Sequence, residues 1–242
     1  MSAVDAGASP VRVADRLASI VLPVHNQADH LEPLVGRYRE ALARLPLRHQ
    51  IVLVPNACRD ETPEICRRMT VEHPEVIAVE LAEGGWGRAV RAGLAAAEGD
   101  LLCYTNSART SPEMLSLALL YASSNPDVVI KAQRRIRDNW RRQLGSLLYN
   151  LECRVLFGLA SWDINGTPKV FPRTFDKLLE LRSDDDLIDA EFVVTCRREA
   201  YPVIEVPSTI TIRHGGTSTT KFSSAARMYL GAYSLRRRLG SV

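Results

Sequence analysis

Polar side chains stand directly after the first apolar run of the chain, at 18–24. Within that run Pro23 fixes the direction in which the backbone leaves. His25 and Gln27 then supply hydrogen-bonding groups that could hold a polar ligand. Asn26 lies between them and stays open to two interpretations, because asparagine is also a common cap for a following helix. The pattern makes this segment a candidate binding loop.

A second apolar run, at 50–55, is followed by Asn56 and Asp60. An asparagine side chain both donates and accepts hydrogen bonds, so Asn56 is a second candidate for ligand binding. Asp60 is better explained as a turn or capping residue, a role that aspartate commonly fills.

A glycine-rich turn with Gly84, Gly85 and Gly87 precedes an alanine-rich helix. The backbone N–H groups of such a turn could receive a phosphate. Val90 stands where a dinucleotide-binding fingerprint requires glycine or alanine, so the spacing does not support a nicotinamide cofactor.

Basic residues are concentrated in the second half of the chain. Residues 131–158 include seven basic and two acidic residues, a surplus of five positive charges, whereas the whole chain has a net charge of +3. Such a patch indicates an anionic partner, such as a phosphate, a nucleotide or an acidic lipid surface. Nucleic acid is not indicated, because no recognition motif or aromatic platform accompanies the bases.

Within this region Arg142 and Ser146 lie one helical turn apart and could bridge one phosphate. The alternative is a solvated basic face above a stripe of core residues. A Gly/Ser/Thr loop at 214–220 lies between Arg213 and Lys221 and could close over a phosphate. Acids clustered at 184–191 could supply a catalytic base or bind a cation. Most of that cluster is interpreted as exposed loop and helix start, where the helix dipole favours acids.

The elements that must hold these residues alternate between strand and helix. Short apolar runs predict strands, and segments with apolar residues at helical spacing separate them. This order predicts a mostly parallel sheet with helices on both faces, whose ligands lie beyond the carboxyl ends of the strands. The predicted strands are 18–24, 50–55, 76–81, 101–104 and 127–132, and the helices between them are 30–45, 62–69, 88–97 and 111–122.

The second half is less regular. It is predicted to contain a long helix from about 138 to 157, a helix ending near 200, a strand pair within 203–213 and a basic C-terminal helix. Neither an internal repeat nor a linker-like composition divides the chain, so we expect one domain, 18–242, after a disordered lead-in at 1–17.

The composition agrees with a folded cytoplasmic protein. The chain has 242 residues, of which 46% are hydrophobic, enough to bury a sizeable core. It has no run of about 18 apolar residues that could span a bilayer. The five cysteines are odd in number and form no C-x-x-C pair, which predicts reduced and mostly buried thiols.

Several segments, taken in order, resemble the family-2 glycosyltransferases with the GT-A fold, and most of all their dolichyl- or polyprenyl-phosphate mannosyl- and glucosyltransferases. The matching segments are SIVLPVHNQADHLEPLV, IVLVPNACRDETPEI, EGGWGRAVRAGLAAAEGDLLCYTNSARTSPEML, DINGTPKVFPR, DAEFVVTCRREAYPVIEVP and IRHGGTSTTKF. The resemblance covers Ser19 to Arg238. It implies a single three-layer α/β/α domain with a nucleotide-sugar-binding half at 18–132 and an acceptor-binding half at 133–242.

The resemblance also implies roles for individual residues. The residues expected to bind the donor are Pro23, His25, Gln27, Asn56, Arg88 and Asn106. Of these, His25 and Gln27 stand where the family usually has Tyr and Glu, and Asn56 stands where it usually has an acid. The residues expected to bind the acceptor phosphate are Arg134, Arg142, Ser146 and Ser218. Asp189 and Arg213 are expected to act in catalysis, and Glu191 falls in the same acidic segment as Asp189. Arg109 is a third catalytic candidate, on the ground of its own charge and not of the resemblance.

The sequence departs from the family after the fourth strand. There the family usually carries an Asp-x-Asp motif that holds Mg²⁺ or Mn²⁺, whereas this chain has Asn106 and Ala108. Hard divalent cations prefer anionic oxygen ligands, so a metal cofactor is disfavoured here. We expect Arg109, with Arg88 or Arg213, to take the cation's role, because arginine binds phosphate with two parallel hydrogen bonds. The alternative is that Arg109 pairs with a surface acid.

The implied function is transfer of a hexose from a donor of the GDP-mannose or UDP-glucose type to a polyprenyl phosphate. The protein would be cytoplasmic and peripheral on the inner face of the membrane. Two alternatives stay open: a catalytically silent nucleotide-sugar-binding or scaffold protein, and a transferase with a soluble acceptor. A phosphate acceptor is already mostly ionised at neutral pH, whereas a hydroxyl acceptor would require Asp189 or a neighbour as general base.

Overall fold

The computed structural model describes residues 15–134, 140–208 and 222–239. In the helices that open the second and third ranges, side chains are described from residue 145 and residue 229 onward. Residues 1–14 of the predicted lead-in lie outside the described part of the chain.

The described residues form seven strands and seven α-helices. The strands are β1 (Leu17–Val24), β2 (Arg48–Pro55), β3 (Val76–Ala78), β4 (Leu101–Tyr104), β5 (Val129–Arg134), β6 (Lys169–Pro172) and β7 (Val203–Ser208). The helices are α1 (Leu31–Leu42), α2 (Thr62–Glu72), α3 (Trp86–Ala96), α4 (Pro112–Ser124), α5 (Trp140–Phe157), α6 (Ile188–Arg198) and α7 (Phe222–Leu239).

The strands form one sheet in the order β3-β2-β1-β4-β6-β5-β7. Strands β1 to β4 pair in parallel, as the alternation of strand and helix predicts. Strand β6 runs antiparallel to both of its neighbours, β4 and β5, and β7 is parallel to β5. The sheet is therefore mostly parallel, with one reversed strand near its middle.

Helices cover both faces of the sheet. Apolar residues of α1, α2 and α4 share one core with alternate residues of β1, including Ile20 and Leu22. Val21 points to the other face, where it packs in a second core with α3, α5, α6 and α7. Burial on both faces explains why β1 reads as a continuous apolar run. The predicted three-layer α/β/α architecture is confirmed.

Strand β6 is the element that the periodicity did not reveal. It has only four residues, ends in proline and begins with a lysine, yet all four side chains are buried. A charged residue at the start of a short segment hides the apolar signal on which strand prediction depends. The predicted strand at 76–81 is also shorter, although Leu81 still forms an isolated parallel bridge with Asn56.

The thiols are in the state that the sequence predicts. All five cysteines are free, four are buried, and Cys58 is half-buried. No helix in the described ranges combines the length and the apolar character needed to cross a membrane. Of the strand pair predicted within 203–213, β7 accounts for the first part, and 209–213 lie outside the described residues.

Candidate functional site

The loops that follow β1, β2 and β4 meet at one edge of the sheet. The register pairs Val24 with Pro55 and Val21 with Tyr104, so the three strands end close together. Asn56 continues this alignment by bridging to Leu81. The predicted strand-end residues therefore share the edge at which ligands of parallel sheets bind.

Asn56 ties the loop after β2 to the loop after β1 and to the glycine-rich turn. It is buried, and its Nδ2 donates to the carbonyl of Val24 at 2.8 Å. Its Oδ1 accepts from the backbone N–H of Gly85 at 3.3 Å, and its own carbonyl lies 2.7 Å from Nδ1 of the more exposed His25. The amide thus fixes the glycine-rich turn against the loop after β1.

Gln27 makes a second bridge between loops. Its side chain is buried, and its Oε1 accepts a hydrogen bond from the Ser107 hydroxyl at 2.9 Å. Its backbone N–H donates to the hydroxyl of Thr62 at 2.8 Å. Ser107 also reaches the carbonyl of Pro23 at 3.5 Å. Pro23 and Gln27 therefore hold the loop after β4 in place, whereas His25 stands at the surface of the site.

The turn after β4 does not fit a divalent cation. Asn106 is half-buried, and its Oδ1 accepts from the backbone N–H of Ala108 at 3.0 Å, which stabilises the turn itself. Ala108 is buried and offers only a methyl group. Within the described ranges, no group of three or more His, Cys, Asp or Glu side chains could hold a metal ion. The half-buried Arg109 follows on the same turn, and its backbone N–H donates to the backbone carbonyl of Asn106.

Arg88 lies at the start of α3, between two carboxylates. Its guanidinium forms ion pairs with Glu83 and, at 3.3 Å, with Asp184. Its backbone N–H donates to the carbonyl of Asp184 at 3.0 Å, and Arg91 binds the same carboxylate at 2.6 Å. A donor diphosphate would have to compete with these acids for Arg88, whose role in donor binding stays a prediction.

The glycine-rich turn packs directly on the backbone of the acidic segment. A Cβ at Gly87 would lie 2.2 Å from the carbonyl oxygen of Ser183 and 2.8 Å from that of Asp185. Gly85 has a φ of 154°, a backbone conformation that residues other than glycine rarely adopt. These contacts explain why the turn needs glycines, apart from any phosphate that it binds.

We expect Gly87→Ala to lower the free energy of unfolding by about 1–3 kcal/mol, because backbone atoms must move to admit the methyl group. Equilibrium urea unfolding measures this change. Gly36→Ala is the matched control, since nothing lies within 4 Å of the added Cβ. Gly36 lies inside α1, where alanine stabilises a helix by up to about 1 kcal/mol relative to glycine. Equal stability of the two variants would contradict the close packing at Gly87.

Asp189 is the centre of a buried polar network. Its carboxylate forms an ion pair with Lys169 and accepts hydrogen bonds from Tyr104 at 2.9 Å and from Trp86 at 3.2 Å. Burial lowers the pKa of Lys169 to about 8, although Asp189 opposes that shift. The pKa of Tyr104 is raised by burial and by the neighbouring Asp189. The network links α6, β6, β4 and the start of α3 beneath the strand-end loops.

Glu191 has a different set of partners. It is buried, and it accepts hydrogen bonds from the backbone N–H groups of Arg182 and Ser183, the latter at 2.7 Å. Arg238 of α7 lies 3.3 Å from the same carboxylate. Glu191 therefore holds the acidic loop and the C-terminal helix against α6.

The candidate acceptor residues lie near the end of β5. Arg134 forms two parallel hydrogen bonds to the buried Asp163, Nε to Oδ2 at 2.8 Å and Nη2 to Oδ1 at 2.7 Å. Ser146 on α5 is half-buried and accepts a weak hydrogen bond from Asn150 at 3.4 Å. Asn150 in turn accepts from the backbone N–H of Ile164 at 3.1 Å, which ties α5 to the segment that holds Arg134.

Three predicted residues cannot be placed. The side chain of Arg142 is outside the described part of α5, and Arg213 and Ser218 lie in the undescribed range 209–221. In contrast, Lys169 and Tyr104, which bind Asp189, were not among the residues predicted from the sequence. Lys169 lies within the segment DINGTPKVFPR, and a lysine between apolar residues was the signal available for finding it.

The sheet order, the helices on both faces and the loops at the carboxyl ends define a protein with the GT-A glycosyltransferase fold. A family model described as Glycosyl transferase family 2 matches residues 19–181, about two thirds of the chain. The chain belongs to this family, as the resemblance predicted.

Two curated relatives are similar to part of this chain. The undecaprenyl-phosphate 4-deoxy-4-formamido-L-arabinose transferase of Aeromonas hydrophila subsp. hydrophila is 29% identical over 147 residues, covering 60% of this chain and 45% of the relative. That of Pseudomonas syringae pv. syringae is 28% identical over 177 residues, covering 72% and 52%. The chain thus spans about half the length of the curated relatives it matches.

Solved structures support the fold. Glucosyl-3-phosphoglycerate synthase from Mycobacterium tuberculosis, in complex with Mn²⁺, uridine diphosphate and glucosyl-3-phosphoglycerate, superposes with a TM-score of 0.70. The similarity covers 95% of this chain and 82% of that one, at 16% sequence identity. A complex of the same enzyme with Mn²⁺, uridine diphosphate and phosphoglyceric acid gives a TM-score of 0.71.

Proposed function

We propose that this protein transfers a sugar from a nucleotide-diphosphate sugar to a polyprenyl phosphate. The observation that carries the proposal is the family-2 match over 19–181, together with relatives named as undecaprenyl-phosphate sugar transferases. The basic surplus between 131 and 158 suits an acceptor that carries a phosphate.

The donor is proposed to bind at the strand-end edge formed by the loops after β1, β2 and β4. A nucleoside diphosphate in a solved structure of the same fold supports this class of donor. A hexose donor of the GDP-mannose or UDP-glucose type stays our prediction. The curated relatives are named for an arabinose derivative, so an activated pentose belongs among the donors to test.

The chemistry is proposed to need no strong base. A phosphate monoester has a second pKa near 6, so at neutral pH the acceptor oxygen is already an anion. That oxygen attacks the anomeric carbon of the sugar, and the bond from that carbon to the nucleoside diphosphate breaks. The leaving group takes the electron pair and departs as an anion, which a positioned cation stabilises.

Arg109 is proposed to supply that cation, with Arg88 and Arg213 as further candidates. The turn at Asn106 and Ala108 lacks carboxylates, so it does not fit the divalent ion that the family usually binds there. Arginine keeps its charge at every working pH and matches the geometry of phosphate oxygens. Asp189 stays a candidate base only for a hydroxyl acceptor.

The site of action is proposed to be the inner face of the membrane, with the protein bound peripherally from the cytoplasm. The basis is the lipid-linked acceptor in the names of the curated relatives. The basic surplus of the second half would favour a membrane that contains anionic lipids.

The test is incubation with labelled GDP-mannose, UDP-glucose or an activated pentose, together with a short polyprenyl phosphate, in the presence of EDTA. We expect a labelled product that partitions into organic solvent, formed at the same rate with and without EDTA. Absence of a lipid-soluble product with every donor, both in EDTA and in Mn²⁺, would contradict the proposed transfer to a polyprenyl phosphate. Activity that EDTA abolishes and Mn²⁺ restores would show that the proposed role of Arg109 is wrong.

A further inference from the structure

An apolar surface lies on the outer side of the helix pair α5 and α7. Its members are large apolar or aromatic side chains with half or more of their area exposed. We name this surface the outer face, and its residues are Leu147, Leu148, Leu151, Val155, Leu230 and Tyr233. On α5 the four residues fall within an arc of about 100° at 3.6 residues per turn.

The packing of the two helices explains why these residues point away from the domain. Tyr149 and Tyr229 meet edge to face with ring centroids 5.8 Å apart, and the Tyr229 hydroxyl donates to the carbonyl of Gly145. The opposite sides of both helices enter one core, through Cys153 of α5 and Leu235 of α7, among others. The outer face is therefore the side that neither the core nor the partner helix covers.

The charges and aromatic residues around this face fit an anionic lipid surface. The guanidinium of Arg154 lies 3.8 Å from the ring centroid of Trp162, which is itself half exposed, and Arg237 is exposed in the last turn of α7. Apolar residues bordered by arginine, tryptophan and tyrosine are the pattern of helices that lie in a membrane interface. A symmetric contact between two copies would instead bring the arginines of both copies onto one interface.

We infer that the outer face inserts into the headgroup region of a membrane that contains anionic lipids. This inference deepens the proposed function, on which the choice of a lipid partner in part rests. The side of α5 that carries Ser146 and Asn150 lies next to the segment around Asp163. Ser146 lies on the side of α5 turned away from the outer face, so docking would place this candidate acceptor residue within a helix diameter, about 10 Å, of the headgroups.

The experiment measures binding of the purified protein to sedimented vesicles of phosphatidylcholine with and without phosphatidylglycerol. We expect the wild type to bind the vesicles that contain phosphatidylglycerol, and salt to weaken this binding. The variant Leu151→Glu Val155→Glu should bind at least about tenfold more weakly, because two charges replace apolar area that enters the interface.

Val71→Glu is the matched control. Val71 is 86% exposed on α2, whose residues pack on the opposite side of the sheet. This variant should bind vesicles as the wild type does. The inference would be overturned if the wild type did not bind the vesicles, or if the double variant bound them as well as the Val71→Glu variant does. The inference would also be overturned if sedimentation showed a dimeric wild type and a monomeric double variant, because the outer face would then be covered by a second copy of the chain.

Turnover of a short polyprenyl phosphate in detergent separates this inference from the proposed function. If the outer face acts only in docking, the double variant keeps its turnover in detergent while it loses vesicle binding. Vesicle binding that depends on Leu151 and Val155, without any glycosyl transfer, would support membrane docking through the outer face and contradict the proposed function. Product formation without vesicle binding would support the proposed function and contradict the docking inference.

Discussion

Asp189→Ala is expected to lower the free energy of unfolding by about 3–5 kcal/mol at pH 6, the usual cost of breaking a buried ion pair. The substitution leaves the fully buried Lys169 without its ionic partner, and it removes the acceptor for the Tyr104 hydroxyl and the Trp86 N–H. Equilibrium urea unfolding monitored by tryptophan fluorescence measures the loss. Turnover should be compared only at a temperature where the variant is folded.

The loss should depend on pH with a definite sign. Burial already lowers the pKa of Lys169 to about 8, and removal of Asp189 lowers that pKa further. An unfolded lysine keeps its proton to about pH 10.4, so the folded variant binds fewer protons than its unfolded chain. Stability of the variant then rises with pH. The deficit relative to the wild type should therefore shrink between pH 6 and pH 8.

Two controls isolate the buried pair. Glu64→Ala breaks the exposed Glu64–Arg67 pair, whose side chains are 60% and 58% exposed, and should cost less than about 1 kcal/mol. Adding Lys169→Met to Asp189→Ala removes the unpaired charge and should recover part of the loss. If Asp189→Ala costs no more than Glu64→Ala at pH 6, the buried network does not stabilise the fold as described.

Arg109→Ala is expected to lower kcat by about 100- to 1,000-fold, the range seen when one stabilising donor to a developing negative charge is removed. The effect should fall on kcat, because the charge on the departing nucleoside diphosphate develops as the sugar–oxygen bond breaks. Arg109→Lys keeps the charge but loses the planar two-point geometry, so its activity should be intermediate. Initial rates at saturating donor and acceptor provide the measurement.

Arg44→Ala is the matched control for Arg109. Arg44 is exposed in the segment between α1 and β2, at the amino end of β2 and away from the strand-end edge. Its activity should equal that of the wild type. A kcat for Arg109→Ala within about twofold of the Arg44→Ala value would show that another group stabilises the leaving group.

Much of the fold follows from the pattern of the sequence, because parallel strands buried on both faces read as unbroken apolar runs. The run at 18–24 became β1, and the run at 101–104 became β4 without any change of bounds. Strand β6 was not predicted from the sequence because it is short, begins with Lys169 and pairs with segments distant in the chain. Local periodicity carries no information about which distant segment pairs with which.

The site was predictable in position but not in detail. Parallel strands place their carboxyl ends together, so the edge shared by His25, Gln27 and Asn56 followed from the strand assignments alone. Sequence spacing could not show that Asn56 and Gln27 bind neighbouring loops, or that Lys169 neutralises Asp189. Those contacts depend on tertiary packing between segments separated by tens of residues.

The placement of β6 has a consequence for synthesis on the ribosome. Strands β4 and β5 are not neighbours, and residues 169–172 fill the space between them. A nascent chain that has emerged only as far as β5 therefore carries three unpaired edges that the folded sheet covers, one on β4 and two on β5, and such edges are prone to aberrant association. Chaperones that shield exposed strands should engage this polypeptide until both β6 and β7 have left the exit tunnel.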